Sequence, residues 1–387
     1  MKVALVRKAY VYHGGAERYI STLLRKLVNE GTEVHVFANT WEIDPSLCEN
    51  VTFHKVPILP GLSVFQVVSF AVLSRFLLGR YDFDLIHSFD KTLYQDIYRA
   101  GDGCHKEWLR LRRQVVSPWK QFTLRINPLH LSLLAIEGRL FSKGAYRKII
   151  ATSEMGKREI MDQYNVSPED IAVIHNGVNH DIFNDLEKET RRRRIRERHQ
   201  IPEDRILVLF VGSGFERKGL GTLIQALGRL KDHQPEIHAL VLGKGNVRAM
   251  EALAAQEQVK DRVLFLGTIV DVADYYVASD MFALPTLYEP FGNVYLEAMA
   301  SGIPVIISSR SGACDLIEDG TTGLVLTDPL DVEHLAECIA RLADPNEARR
   351  IGLAGKETSK EYSDEKNAEL TLQVYHQVLE SKYYQKH

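Results

Sequence analysis

The chain has 387 residues, 45% hydrophobic and 26% charged, which at roughly 150 residues per domain predicts two globular domains. No low-complexity tract is present, which excludes disordered and fibrous classes, and a net charge of −3 points to no polyanionic partner. That total hides a split: residues 1–200 carry 30 Lys and Arg against 23 Asp and Glu, and residues 201–387 carry 18 against 28, so the first half is expected to meet something anionic.

Lys2–Val6 predicts a buried strand, and Arg7 and Lys8 directly behind it exclude a signal peptide. Gly14-Gly15 breaks the chain before a helical pattern over residues 16–29, and strands are expected at 34–38, 51–56 and 85–87. Residues 61–79 are the most apolar stretch, yet Gln66 and Arg75 interrupt the roughly 20 apolar residues a membrane span needs. A buried or interfacial helix is predicted there. Residues 118–142 form a helical region broken near Asn127-Pro128, and 148–152 and 171–174 add strands. Residues 181–200, with Arg191 to Arg194, Arg196 and Arg198, read as a linker bearing an exposed, solvated helix. From Ile206 a second series begins, with strands ILVLFVG, HALVLG, VLFLG, MFALP and PVIIS and helices between them. Short continuous apolar strands alternating with helices indicate parallel sheets covered on both faces. The expected architecture is α/β: two Rossmann-like domains, 1–185 and 200–366, facing each other across a cleft. A last helix near 367–387 could pack on either.

Open α/β sheets bind ligands at the carboxyl ends of their strands, so the loops there are the candidates. Tyr12-His13-Gly14-Gly15-Ala16-Glu17-Arg18 places paired glycines at a helix start, but the spacing is not that of a dinucleotide loop. A tight strand-to-helix turn explains it equally well. Gly212-Ser213-Gly214-Phe215-Glu216-Arg217-Lys218-Gly219 sets two cations at a helix start. There they oppose the helix dipole, so an anion lodged beside them explains them better than helix stability does. A third loop, Tyr288-Glu289-Pro290-Phe291-Gly292-Asn293-Val294, leads into a helix carrying Glu297. Asp82-Phe83-Asp84 precedes a strand, the wrong end for a ligand, and reads as a polar turn. The four cysteines have no metal spacing and fit a reduced, cytosolic protein, and no histidine pattern forms a metal site.

Several of these motifs together resemble family 4 retaining glycosyltransferases of the GT-B fold. The resemblance rests on Gly14-Gly15-Ala16-Glu17-Arg18, His175-Asn176-Gly177-Val178, Phe210 to Gly219, Glu289 and Glu297 followed by Gly302-Ile303-Pro304-Val305, and Gly312 to Gly323-Leu324-Val325. The motifs occur in family order along nearly the whole chain. The opening strand and Tyr98-Arg99-Ala100-Gly101-Asp102-Gly103-Cys104 look most like lipopolysaccharide core glucosyltransferases. Those enzymes carry Gly-Leu-Gln-Arg where this chain has Gly-Ala-Glu-Arg, which leaves the acceptor open.

The resemblance implies that Glu297 bonds the ribose hydroxyls of a nucleotide, while Glu289 meets hydroxyls of the donor sugar. Backbone N–H groups of Phe291, Gly292, Asn293 and Val294 would lie close by. Arg217 and Lys218 would neutralise the leaving diphosphate, with Gly214 and Gly15 letting backbone approach it, and backbone near Val270 would meet the base. Either Asp102 or His105 would face the reacting sugar. No metal or cofactor is implied beyond the donor, UDP-glucose. The implied acceptor is a glycolipid or polysaccharide precursor. Lys106 to Arg113 with Trp108, then Trp119 and Lys120, mixes cations with indoles and suits peripheral attachment to an anionic cytoplasmic membrane face. No nucleic-acid motif accompanies these cations. A nucleotide-sugar epimerase of similar fold and a silent nucleotide-sugar-binding protein are the competing readings.

Overall fold

A computed structural model describes residues 1–11, 15–42, 50–183, 187–232 and 235–386. The chain divides into two compact units, Met1–Gly177 with Asp364–His387, and Val178–Ser363.

The first unit contains β1 (Lys2–Val6), β2 (Ala9–Val11), β3 (Glu33–Ala38), β4 (Thr40–Glu42), β5 (Val51–Lys55), β6 (Leu85–Ser88), β7 (Ile97–Ala100), β8 (Lys148–Ala151) and β9 (Ile171–Val173). Seven of them form one sheet in the order β5-β3-β1-β6-β7-β8-β9, every pair parallel. Val3, Ala4, Leu5 and Val6 are all buried, as the apolar run of a strand covered on both faces requires. β2 and β4 pair separately. Neither they nor β7 stands out in the sequence, because β7 spells Ile-Tyr-Arg-Ala and hides its burial behind a polar residue. Asp84 accepts the Lys2 backbone N–H at 2.7 Å, tying the starts of β1 and β6 together. The Asp-Phe-Asp triplet is thus a turn at the amino ends of the strands.

The 23-residue helix Asp364–Lys386 belongs to this first unit and packs on the helix Gly15–Asn29. Lys26 pairs with Glu369 at 2.8 Å, the Tyr19 and Thr371 hydroxyls bond at 2.9 Å, and the Tyr375 hydroxyl bonds His87 Nδ1 at 2.7 Å. Among the described residues no helix is long and apolar enough to cross a membrane. The apolar stretch forms the helix Ser63–Leu78, which packs on Pro128–Leu140 through one face and leaves Phe65, Val72 and Phe76 exposed.

The second unit contains β10 (Ile206–Val211), β11 (Ile237–Leu242), β12 (Val263–Gly267), β13 (Met281–Leu284), β14 (Val305–Ser308) and β15 (Leu324–Leu326), a parallel sheet in the order β12-β11-β10-β13-β14-β15. The strand order reverses between β10 and β13, the topological switch point beside which open α/β sheets place their ligand sites. The core of this unit runs from Val178 to Ile351, with Leu207, Val208, Leu209, Phe210 and Phe282 fully buried.

The arginine run departs from its sequence reading. Residues 188–198 form a helix of the second unit that packs on Ala273–Ala278 rather than a solvated linker. Arg191 and Arg194 hold Asp274, and Arg192 and Arg196 reach Asp280 at 2.9 and 2.8 Å. Arg196 is 1% exposed. The chain leaves the first unit at 177 and not at 185, because Val178 and Phe183 already pack into the second unit's core. Within these boundaries the first unit carries 26 Lys and Arg against 22 Asp and Glu and the second 22 against 29, a gentler split than that between the halves.

Candidate active site

The chemistry-bearing residues of the second unit converge on the carboxyl ends of β10 and β13. After β10 the chain turns through Gly214, with φ +80°, into the four-residue helix Phe215–Lys218. Phe215 anchors that turn, packing near the rings of Phe210 and Phe265. Gly219 ends it with φ +78°. A Cβ there would lie 1.9 Å from the Pro285 carbonyl oxygen, so only glycine lets the β10 and β13 loops approach this closely. The two loops are also stitched together: Leu287 N–H and Thr286 Oγ1 donate to the Arg217 carbonyl at 2.8 and 3.1 Å.

This stitching sets Arg217 and Lys218 against Glu289. Arg217 Nη1 donates to the Tyr288 carbonyl at 2.9 Å and to Glu289 Oε2 at 3.0 Å, and Lys218 Nζ reaches the same carboxylate oxygen. Lys218 is 8% exposed and its stem runs over Gly212. Burial draws its ammonium pKa down, opposed by the Glu289 charge. The Glu289 backbone is fixed from β14's side, donating to the Arg310 carbonyl at 3.0 Å while its own carbonyl accepts Gly312 N–H at 2.9 Å.

Gly292, φ +90°, is the N-cap of the helix Asn293–Ser301. A Cβ there would meet the Tyr295 ring at 2.9 Å and Glu289 Cγ at 3.0 Å. Gly292 brings no side chain to cap this helix and its first turn holds no acidic residue, so no carboxylate of that turn offsets its positive end. Phe291 is buried, so only its backbone can face a ligand; Val294 and Asn293 are half-buried. One turn into the helix, Glu297 is 8% exposed and accepts the Tyr276 hydroxyl at 2.9 Å. Val270, in the loop after β12, is 84% exposed. Tyr276 and Tyr295 escape sequence reading. Tyr295 donates to the Leu284 carbonyl at 2.6 Å and holds the helix start to β13, but in sequence both tyrosines look like ordinary core positions.

In the first unit, Asp102 and His105 follow the carboxyl end of β7, Asp102 exposed and His105 opening the helix His105–Val115. Burial first, then the nearby Lys91 charge, push the His105 imidazole down to about 4. Gly15 starts the helix Gly15–Asn29, and residues 12–14 lie outside the described residues. In the His-Asn-Gly-Val motif, Asn176 accepts Arg99 Nη2 at 2.7 Å and His175's carbonyl accepts Asn367, where the chain leaves the first unit. No cluster of three or more His, Cys, Asp or Glu suited to a metal ion occurs among the described residues.

Two family models account for nearly the whole chain. "Glycosyltransferase Family 4" matches residues 13–182, and "Glycosyl transferases group 1" matches residues 191–358. The chain is a family 4 glycosyltransferase. It is 26% identical over 366 residues to lipopolysaccharide glucosyltransferase WaaG of Escherichia coli strain K12, covering 94% of each chain. Among solved structures it matches the crystal structure of WaaG, a glycosyltransferase involved in lipopolysaccharide biosynthesis, with a TM-score of 0.82 at 24% identity over 96% of this chain and 99% of that one. Anabaena HepE in complex with UDP and glucose matches with a TM-score of 0.71 at 18% identity, over 97% and 99%. The transferase thus has the GT-B fold, and its Glu289 loop falls within the group 1 match while Asp102 and His105 fall within the family 4 match.

Proposed function

We propose that this glycosyltransferase moves a hexose, glucose, from UDP-glucose to a glycolipid or polysaccharide precursor of the lipopolysaccharide core type, with retention of anomeric configuration and without a metal. The observation that carries the reading is the cluster of Arg217, Lys218 and Glu289 at the β10–β13 switch point. A glycosyl transition state is oxocarbenium-like, and negative charge grows on the departing diphosphate. Arg217 and Lys218, already held at the loop by backbone and carboxylate contacts, meet that charge by exchanging only part of their Glu289 contact, and such preorganised stabilisation is usually the main source of rate enhancement. The donor phosphates take over part of the role Glu289 plays for the two cations, which frees Glu289 for the sugar hydroxyls. Glu297, steadied by Tyr276, holds the ribose. With attack on the same face as departure, no protein nucleophile is needed. Glucose as the transferred sugar is supported by the glucosyltransferase WaaG among the relatives, and UDP by the HepE complex with UDP and glucose.

The experiment is a panel of nucleotide sugars, scored by thermal shift and by turnover with and without a glycolipid extract. UDP-glucose is expected to raise the melting temperature most, by mass action on the folded state, and to be consumed only with acceptor. Conversion of donor without acceptor would identify an epimerase, and binding without conversion a silent protein.

A peripheral seat at an anionic leaflet completes the proposal. The helix Pro118–Ile126 exposes Trp119, Phe122 and Ile126 beside the exposed cations Lys120 and Arg125, and the helix Ser63–Leu78 adds Phe65 and Phe76 in the same unit. Of the upstream basic stretch, Arg110 is occupied by Glu107 and Lys106 by the Gln163 carbonyl, so the aromatic tip carries the larger share. Flotation with anionic vesicles is expected at low salt and lost in Trp119→Ser/Phe122→Ser. Equal flotation of both proteins would sink the membrane role.

A further inference from the structure

The sequence carries a lone carboxylate inside a mostly apolar helix. Glu137, in Pro128–Leu140, is fully buried. It does not sit among apolar side chains unused. Oε1 accepts the His105 backbone N–H at 2.8 Å, and Oε2 accepts the Lys106 N–H at 3.1 Å and the Tyr164 hydroxyl at 2.5 Å. Lys91, in the loop after β6, places Nζ 3.5 Å from Glu137 Oε1 and donates to the Gly103 carbonyl at 3.2 Å.

Four elements therefore converge on the short turn 101–105 at the carboxyl end of β7. Gly103, φ +70°, reverses the chain between Asp102 and His105, and its N–H returns to the Ala100 carbonyl at 3.2 Å. The following helix has Cys104, a weak hydrogen-bonding residue, at its N-cap. A serine or aspartate at that position would cap the helix locally at little cost. Here the first two helical N–H groups are instead satisfied by a carboxylate from a different helix. Burying that charge is expensive unless it is fully hydrogen-bonded and paired. The full set of donors around Glu137 meets that condition, and the same contacts fix the turn from its two sides.

We propose that Glu137 and Lys91 are positioning residues of the transfer reaction, holding the turn that presents Asp102 and His105 to the reacting sugar. The inference rests on the reading that one of those two faces the sugar. Neither Glu137 nor Lys91 touches substrate. They act by denying the turn its alternatives, and a displacement of about 1 Å at such a position costs on the order of 10²-fold in rate. His105 gains a second constraint from the same helix, its Nε2 lying 3.2 Å from His130 Nδ1.

The test compares Glu137→Gln, Lys91→Met and Tyr164→Phe with Asp102→Ala, His105→Ala and that double alanine variant, using UDP-glucose and glycolipid extract. Glu137→Gln and Lys91→Met are expected to lower kcat about 10²-fold with the donor KM little changed, and Tyr164→Phe, which removes one contact, to fall between them and wild type. Introduced into the double alanine variant, Glu137→Gln is expected to cost nothing further, since residues acting as a unit are not additive. Should Glu137→Gln not fold, Lys91→Met and Tyr164→Phe read the same prediction. Wild-type kcat in Glu137→Gln and Lys91→Met, alongside loss in Asp102→Ala or His105→Ala, would overturn the positioning role alone. An undiminished further loss in the double alanine background would overturn it as well, since Glu137 would then act independently of the turn. Full activity in both Asp102→Ala and His105→Ala would overturn the reading beneath it.

Discussion

Lys218→Ala is expected to lower kcat by about 10²–10³-fold, the cost of removing one preorganised group aimed at developing charge, about 2.7–4 kcal/mol. The geometry behind the figure is specific. Lys218 Nζ is fixed by Glu289, its stem is packed on Gly212, and the loop that carries it is bolted to β13 through the Arg217 carbonyl. Those bolts end on the Arg217 carbonyl, not on the Lys218 side chain, and survive the substitution, so the variant should melt near the wild-type temperature. Glu289→Ala is expected to lose turnover to a similar degree by another route. It removes the proposed sugar contact and leaves Lys218, 8% exposed, with no carboxylate to hold it in line. The two are separable by nucleotide binding. UDP alone should stabilise Glu289→Ala about as well as wild type, because the carboxylate is assigned to the sugar, and should stabilise Lys218→Ala less. Near-normal rates in both variants would refute the site assignment.

What the sequence makes legible follows from how local each signal is. β1, β10 and β13 announce themselves because a strand buried on both faces must be apolar at every position. Gly214, Gly219 and Gly292 mark turns because their backbone has positive φ. The loops they create, with Arg217, Lys218 and Glu289, sit at strand ends, where chain order alone predicts a ligand. Sequence gives no hint that Tyr276 holds Glu297 across 21 residues, or that Glu137 caps a helix 32 residues away, because a hydrogen bond between distant elements leaves no periodic trace. A signal for Glu137 did exist: a single acid in Pro-Leu-His-Leu-Ser-Leu-Leu-Ala-Ile-Glu is out of place unless it has partners. The arginine run misleads for the opposite reason. Its charge is conspicuous, but the carboxylates it serves, Asp274 and Asp280, lie more than 75 residues downstream in a different loop and helix.

Asp280→Ala measures how far that helix is structural. The Asp280 carboxylate accepts Arg192 Nη2 at 2.9 Å, Arg196 Nη2 at 2.8 Å and the Leu207 backbone N–H at 2.7 Å, so it ties the arginine helix to the start of β10 and β13. Arg196 is 1% exposed, and its other nitrogens are spent on carbonyls of Ala278, Pro202 and Arg205. Removing the carboxylate leaves the buried guanidinium with only the exposed Glu203, 3.8 Å from Nε, as countercharge, a change expected to approach the cost of a broken buried pair, about 3–5 kcal/mol. The Leu207 N–H loses its acceptor at the same time. Urea unfolding of the full chain is expected to lose stability on that scale. Arg196→Met should cost less than Asp280→Ala, since methionine refills the buried stem without leaving a charge behind. Arg193→Glu and Arg198→Glu, on the exposed side of the same helix, should stay within about 0.5 kcal/mol of wild type. If Asp280→Ala also stayed there, the run would be the solvated face that its composition implies.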